Sequence, residues 1–394
     1  MGSSFTKSWL RGVLLIGGLT GCGGGTAKLL IGDYDSSAPA GTGGATADSG
    51  TFSSGGSTAA TTGTNDAGLT LRSAAAASGR LFGAALNSRY LGSEAIYTEL
   101  ARTEFSYVTA EWEMKWAPTE PSRGNFSFAG GDALSDFALA HGMQLKGHTL
   151  IWHASLPPWV SDLTSADEVR AAMLNHIQTV AGHYAGKVNA WDVVNEAFDD
   201  GAQYRRHVLY DQLGETYIDE AFTAARLADP NALLFYNDYG IEAPGSKLDA
   251  TYALVQRLIA ANVPIDGVGF QMHIAADGDP TPLALAASLK RFTDLGLWVN
   301  ISEMDVRASS SSSDLATQFA VQRERYHDIV AVCVQNPKCM SITTWGVTDA
   351  HTWLDDPAQL SWAGPGPHNP LLFAADGSAK PAYDGVIQAL LGQQ

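Results

Sequence analysis

Short apolar runs alternate with amphipathic helical patterns along most of this chain, and that alternation restricts its fold more than any other feature. The runs fall at 81–86, 107–110, 144–150, 189–194, 233–236, 267–271, 298–301 and 341–345. Helical patterns such as 166–184, 215–227, 247–261 and 314–333 lie between them. The runs have the length of strands, and strands joined through helices pair in parallel because each link must cross over. Eight such units over roughly 320 residues predict an α/β fold, a (β/α)8 TIM barrel spanning 69–394. An open doubly wound sheet is the alternative, but no Gly-rich phosphate loop follows the first run.

The first seventy or so residues have a different composition. Lys7 and Arg11 precede an apolar run at 13–19, too short to span a bilayer but suited to the core of a secretory signal. It ends in Leu19, Thr20, Gly21, Cys22, an order that resembles the bacterial lipoprotein signal, in which small residues precede a cysteine that is lipidated. The resemblance implies a signal peptide over 1–21, lipidation at Cys22, and an exported protein held at a bacterial cell envelope or surface by its lipid anchor, with an extracellular location as the alternative. Gly23 follows in place of Asp, so nothing marks the chain for retention at an inner membrane. From 22 to 68 the sequence is dominated by Gly, Ser, Thr and Ala and predicts a disordered linker. A formal charge of -17 and a pI near 4.8 repel phosphate backbones and anionic head groups, which excludes nucleic acid and favours a neutral substrate. A monomer is the default expectation.

In a parallel barrel every strand opens at its C-terminal end onto one face, so polar residues there converge on a single cleft. They recur at seven successive ends: Glu111, Glu113 and Lys115; His148, Trp152 and His153; Asn195 and Glu196; Asn237, Asp238 and Tyr239; Gln271 and His273; Glu303 and Asp305; Trp345, Asp349 and Trp353. Two stretches stand out, AWDVVNEAF at 190–198 and WVNISEMDV at 298–306, each a β-rich run that ends on a glutamate. A lone carboxylate after a strand serves equally well as a helix cap, but a pair of them is what glycoside hydrolysis needs. In a retaining hydrolase the two carboxyls stand about 5 to 5.5 Å apart, and at that distance both do not ionise easily. If Glu303 bonds His273 with Asp305 nearby, Glu303 stays ionised as the nucleophile and Glu196 holds the proton. The indoles of Trp152, Trp345 and Trp353 offer flat apolar faces for pyranose rings.

At these residues the chain resembles glycoside hydrolase family 10, the retaining endo-β-1,4-xylanases, over about 69–391. The segments that carry the resemblance are WEMKWAPTEPSRGNFSF (112–128), GHTLIWH (147–153), WDVVNEAF (191–198), GFQMHI (269–274), ISEMDV (301–306) and WGVTDAHTW (345–353). It implies hydrolysis of internal xylan linkages by double displacement, without a cofactor, with Glu196 as acid/base and Glu303 as nucleophile. It further implies that Glu111, Lys115, His148, Trp152, Asn195, Gln271, Trp345 and Trp353 contact sugar. Tyr239, at the fifth strand end, joins them as a substrate-binding candidate, and His273 and Asp305 support the nucleophile. A barrel hydrolase acting on another β-glucan or a plant glycoside remains open, as does a non-catalytic glycan-binding protein.

A metal is not expected: His148 and His153 lack the His-Glu-x-x-His pattern, and no second cysteine pair completes a zinc site with Cys333 and Cys339. In an exported chain these two cysteines favour a local disulfide, and the resemblance implies one before the eighth strand. The chain departs from the family pattern at Trp112, where an Asn is usual. Either the indole faces the cleft and reshapes the distal glycone subsite, or it turns away and packs under its loop.

Overall fold

The computed structural model describes residues 68–308 and 314–393. The predicted signal peptide, Cys22 and linker residues 22–67 therefore lie outside the described residues. Nine strands follow in order: β1 (Leu81–Leu86), β2 (Tyr107–Ala110), β3 (Gln144–Trp152), β4 (Ala190–Asn195), β5 (Leu233–Asp238), β6 (Gly267–Phe270), β7 (His273–Ala275), β8 (Trp298–Arg307) and β9 (Cys339–Thr344). Sequence neighbours from β1 to β6 pair in parallel, β6 pairs with β8, β8 with β9 and β9 with β1, which closes the predicted eight-strand barrel. Closure leaves no unpaired edge along the ring. The three-residue β7 lies beyond the end of β6 and pairs with the last part of β8, His273 opposite Asp305.

Helices pack outside the ring for the reason the periodicity gave. In Ala166–His183 the buried residues are Val169, Ala172, Met173, His176, Ile177, Val180 and Ala181, a stripe at helical spacing. Three strands run two or more residues further than the apolar pattern: β3 continues to Trp152, β5 to Asp238 and β8 to Arg307. Glu303 and Asp305 thus lie within a strand, on the same face two residues apart, where the sequence placed them after its end. The disulfide forms between Cys333, in the helix Leu315–Gln335, and Cys339, the first residue of β9.

Inside the barrel several polar groups are paired rather than exposed. Lys146 Nζ lies 2.8 Å from Asp192 Oδ2, and the His148 ring Nδ1 lies 2.9 Å from the same oxygen. All three side chains are buried, and a buried charge is tolerated only with such partners.

Candidate active site

Asn195 is the last residue of β4, and in the ladder it stands between Trp152 on β3 and Asn237 on β5. Glu196 follows with φ 55°, in the left-handed region. That turn ends the strand alternation, so two consecutive side chains both reach the cleft, at a backbone cost of about 1–2 kcal/mol. The Asn195 side-chain oxygen accepts from Asn237 Nδ2 (2.9 Å) and Gln271 Nε2 (3.2 Å). Its own amide then faces Glu196 Oε1 at 3.3 Å. Glu196 also accepts from Gln271 Nε2 (3.0 Å) and from the Trp152 indole N–H (2.9 Å).

Glu303, 4% exposed, has a different surrounding. Asn237 Nδ2 donates to its Oε1 at 2.6 Å, and the His273 ring Nε2 lies 3.2 Å from its Oε2. His273 Nδ1 in turn lies 2.9 Å from Asp305 Oδ2, which also accepts from the Trp353 indole at 2.7 Å. An imidazole with a carboxylate at each nitrogen is best satisfied when both nitrogens carry protons. Burial works against that charge, but Asp305 and Glu303 outweigh it and raise His273 to about 10. Burial likewise opposes ionisation of Glu303, yet the His273 hydrogen bond and the positive fields of His148, His273 and Lys115 bring it down to about 2. The two glutamates are therefore joined through one layer of amides, Asn195, Asn237 and Gln271, while the His273 ring lies at hydrogen-bond distance from Glu303.

The walls of the cleft are aromatic. Trp112, Trp152, Tyr239, Trp345 and Trp353 line it with Glu111, Lys115, His148, Asn195, Gln271, His273 and the two glutamates. Burial lowers the Lys115 ammonium and raises the Glu111 carboxyl. Tyr239 accepts from Arg205 Nη2 (2.6 Å) and donates to Asp200 Oδ1 (2.5 Å), and Lys247 Nζ stands 3.4 Å from its ring centre.

Every residue predicted to bind sugar thus lies on the cleft, and Trp112 faces it rather than packing under its loop. Other strand-end residues go elsewhere. Glu113 turns back to accept from the backbone of Ser88 and Trp112, tying the loop after β2 to the one after β1. Asp238 lies beneath the surface against Tyr236 and Lys247, and burial raises it to about 7. Asp349 pairs with Lys380 at 2.7 Å. Asn237 was named among the strand ends but given no part in the site, although it bridges Asn195 to Glu303. No local signal marks it, since Asp238 beside it is as polar and lies against Tyr236 and Lys247 instead. Among the described residues no group of three or more His, Cys, Asp or Glu is placed to hold a metal ion.

Residues 70–389 match Glycosyl hydrolase family 10. The chain is 40% identical over 288 residues to endo-1,4-beta-xylanase A of Humicola insolens, covering 73% of this chain and 74% of the relative. It is 38% identical over 320 residues to endo-1,4-beta-xylanase A of Phanerodontia chrysosporium, covering 80% and 76%. Among solved structures, xylanase 10B of Thermotoga maritima superposes with a TM-score of 0.77 at 36% identity, covering 82% of this chain and 98% of that one.

Proposed function

The chain belongs to glycosyl hydrolase family 10, and on that premise we propose that it is an endo-1,4-β-xylanase that cuts internal linkages of xylan with retention, Glu303 acting as nucleophile and Glu196 as acid/base. The asymmetry between the two carboxyls carries this assignment: His273 stands behind Glu303 and bonds it and Asp305, whereas Glu196 accepts from Trp152 and Gln271. Glu303 is ionised and attacks the anomeric carbon as the glycosidic C–O bond breaks. The departing oxygen takes the proton of Glu196, and a glycosyl ester on Glu303 remains. Water then gives its proton to Glu196 while its oxygen attacks the same carbon, and the bond to Glu303 breaks. Asn195, fixed by Asn237 and Gln271, presents its amide to the 2-hydroxyl of the reacting sugar. Glu111, Lys115, His148, Tyr239, Gln271 and the three indoles at Trp152, Trp345 and Trp353 grip the chain on either side.

The two roles separate in Glu303→Gln and Glu196→Gln. On xylan both lose activity by orders of magnitude. On an aryl xylobioside with an acidic phenol, Glu196→Gln keeps its first step because that oxygen leaves without a proton, while Glu303→Gln stays inactive. Xylan turnover in Glu303→Gln, or inverted anomeric configuration by NMR, sinks the assignment.

The finer organisation belongs to the same proposal: a signal peptide at 1–21, a linker at 22–68, and a monomeric barrel at 69–394 held at the bacterial envelope through lipidated Cys22. Its support is the charged start, the short apolar run and the Leu-Thr-Gly-Cys order. Several acyl chains anchor stably where one does not. Membrane fractionation of Cys22→Ala tests it, and an unchanged distribution between membrane and medium rejects the anchor.

A further inference from the structure

Trp112 is an aromatic residue of the cleft wall that is 49% exposed, against 7% for Trp345 deeper in the same wall. An open indole is a large apolar surface held in water, and such a surface inside a binding cleft has a partner when the site is filled. Its support is fixed in advance. The Trp112 backbone N–H donates to Glu113 Oε2 (3.2 Å), and Glu113 in turn accepts from the Ser88 backbone, so two barrel loops brace the residue. Lys115 Nζ lies 5.4 Å from the Trp112 ring centre, 4.7 Å from that of Trp152 and 5.8 Å from that of Trp345. Three indoles thus surround one buried cation, and Trp112 is the outermost. Exposure rises from Glu303 through Trp345 to Trp112, so the ring that meets Trp112 is not the one being attacked. In the barrel order the loop after β2 stands three strands away from the loop after β5, which carries Tyr239.

We propose that Trp112 is a further specificity-determining residue: its open indole is a platform for the C–H face of a xylose ring at least one unit away from the scissile bond, along the part of the cleft wall built by the loop after β2. Lys115 then stands beside the same ring to donate to its hydroxyls. The inference rests on the xylanase reading above and adds a residue to it.

The test compares the parent enzyme with Trp112→Ala and Trp112→Phe on an aryl xyloside and on xylotriose to xylohexaose. Xylohexaose binding is also measured by calorimetry, with and without Trp112→Ala, in a Glu303→Gln background. Loss of one stacked ring should raise KM and Kd for xylohexaose about 5- to 10-fold in Trp112→Ala while kcat moves about twofold or less. The penalty should grow with substrate length, and Trp112→Phe should restore most of the affinity. Unchanged Kd for xylohexaose in Trp112→Ala overturns the platform, as does an equal penalty on the aryl xyloside and the hexaose. A parent enzyme that cleaves none of these substrates would instead reject the xylanase reading itself.

Discussion

At Glu303 burial and charge oppose each other, and the charges behind the residue decide the outcome. The His273 hydrogen bond heads the effects that hold the carboxyl near 2 against its burial. In His273→Ala the acid limb of kcat/KM should therefore move up by about 1 to 3 pH units, because an opposite charge at hydrogen-bond range shifts a carboxyl by that much. An unmoved limb would assign the effect to Lys115 or His148 instead. The same pair sets a stability window. His273 is raised from 6.5 to about 10, so its contribution is complete below pH 6.5 and is lost as pH rises through 10. Glu303 is lowered from 4.5 to about 2, so its contribution is complete above pH 4.5 and is lost as pH falls through 2. Thermal melts of parent and His273→Ala should differ most between pH 4.5 and 6.5 and converge toward pH 10; a constant difference across that range would show that the imidazolium does not stabilise the fold.

At the scale of elements, β6 lets the amide layer form by having no side chain where Asn237 passes. A Cβ on Gly269 would stand 2.1 Å from Asn237 Oδ1 and 3.0 Å from Asn300 Oδ1. Gly269→Ala should therefore cost about 1–3 kcal/mol in urea unfolding and also lower kcat, because the amide that donates to Glu303 must move. Gly267→Ala on the same strand meets the Phe235 ring at 2.2 Å, so it should lose stability and keep kcat. Equal kcat in the two variants would remove Asn237 from the site. The disulfide pins the end of helix Leu315–Gln335 to the start of β9, and a closed loop of this size stabilises by about 2 kcal/mol. Cys339→Ala should show that loss under oxidising conditions and match the reduced parent. The strands at 81–86 and 107–110 were legible to the residue because polar residues, Arg80 and Asn87 for the first and Ser106 and Glu111 for the second, bound them on both sides. The ends of β5 and β8 were not, since polar residues that face a cleft break the apolar pattern without ending the strand. Glu113 and Asn237 mark the same limit. Both are polar groups beside a catalytic motif, yet one ties two loops together and the other reaches the nucleophile. The choice is made by the register of neighbouring strands, which no local window contains.

Over the whole molecule, the barrel is complete only with the short helix that precedes its first strand. Helix Leu71–Ala77 starts at a capping box in which Thr70 accepts from Ser73 N, and Leu71, Ala74 and Ala75 are fully buried. Arg72 donates from Nε to the Phe105 carbonyl (2.7 Å) and from Nη1 to that of His141 (3.1 Å). The Leu71 N–H reaches Glu104 at 3.0 Å, and Tyr383, from the last helix, donates to the same carboxyl at 3.0 Å. The first and last helices of the described residues are thereby joined, although none of these groups lines the cleft. A chain that starts at Gly68 keeps all of them, so it should melt with the full chain and turn over soluble xylan equally well. A chain that starts at Gly79 loses one Leu, two Ala and the Arg72 hydrogen bonds from the core, together about 4 kcal/mol. It should unfold at clearly lower urea while the fraction still folded keeps its kcat, because the cleft residues begin at Glu111. Equal stability of the two truncations would mean that the barrel is complete from β1 onward, and the expected start of the catalytic domain at residue 69 would move to the first strand.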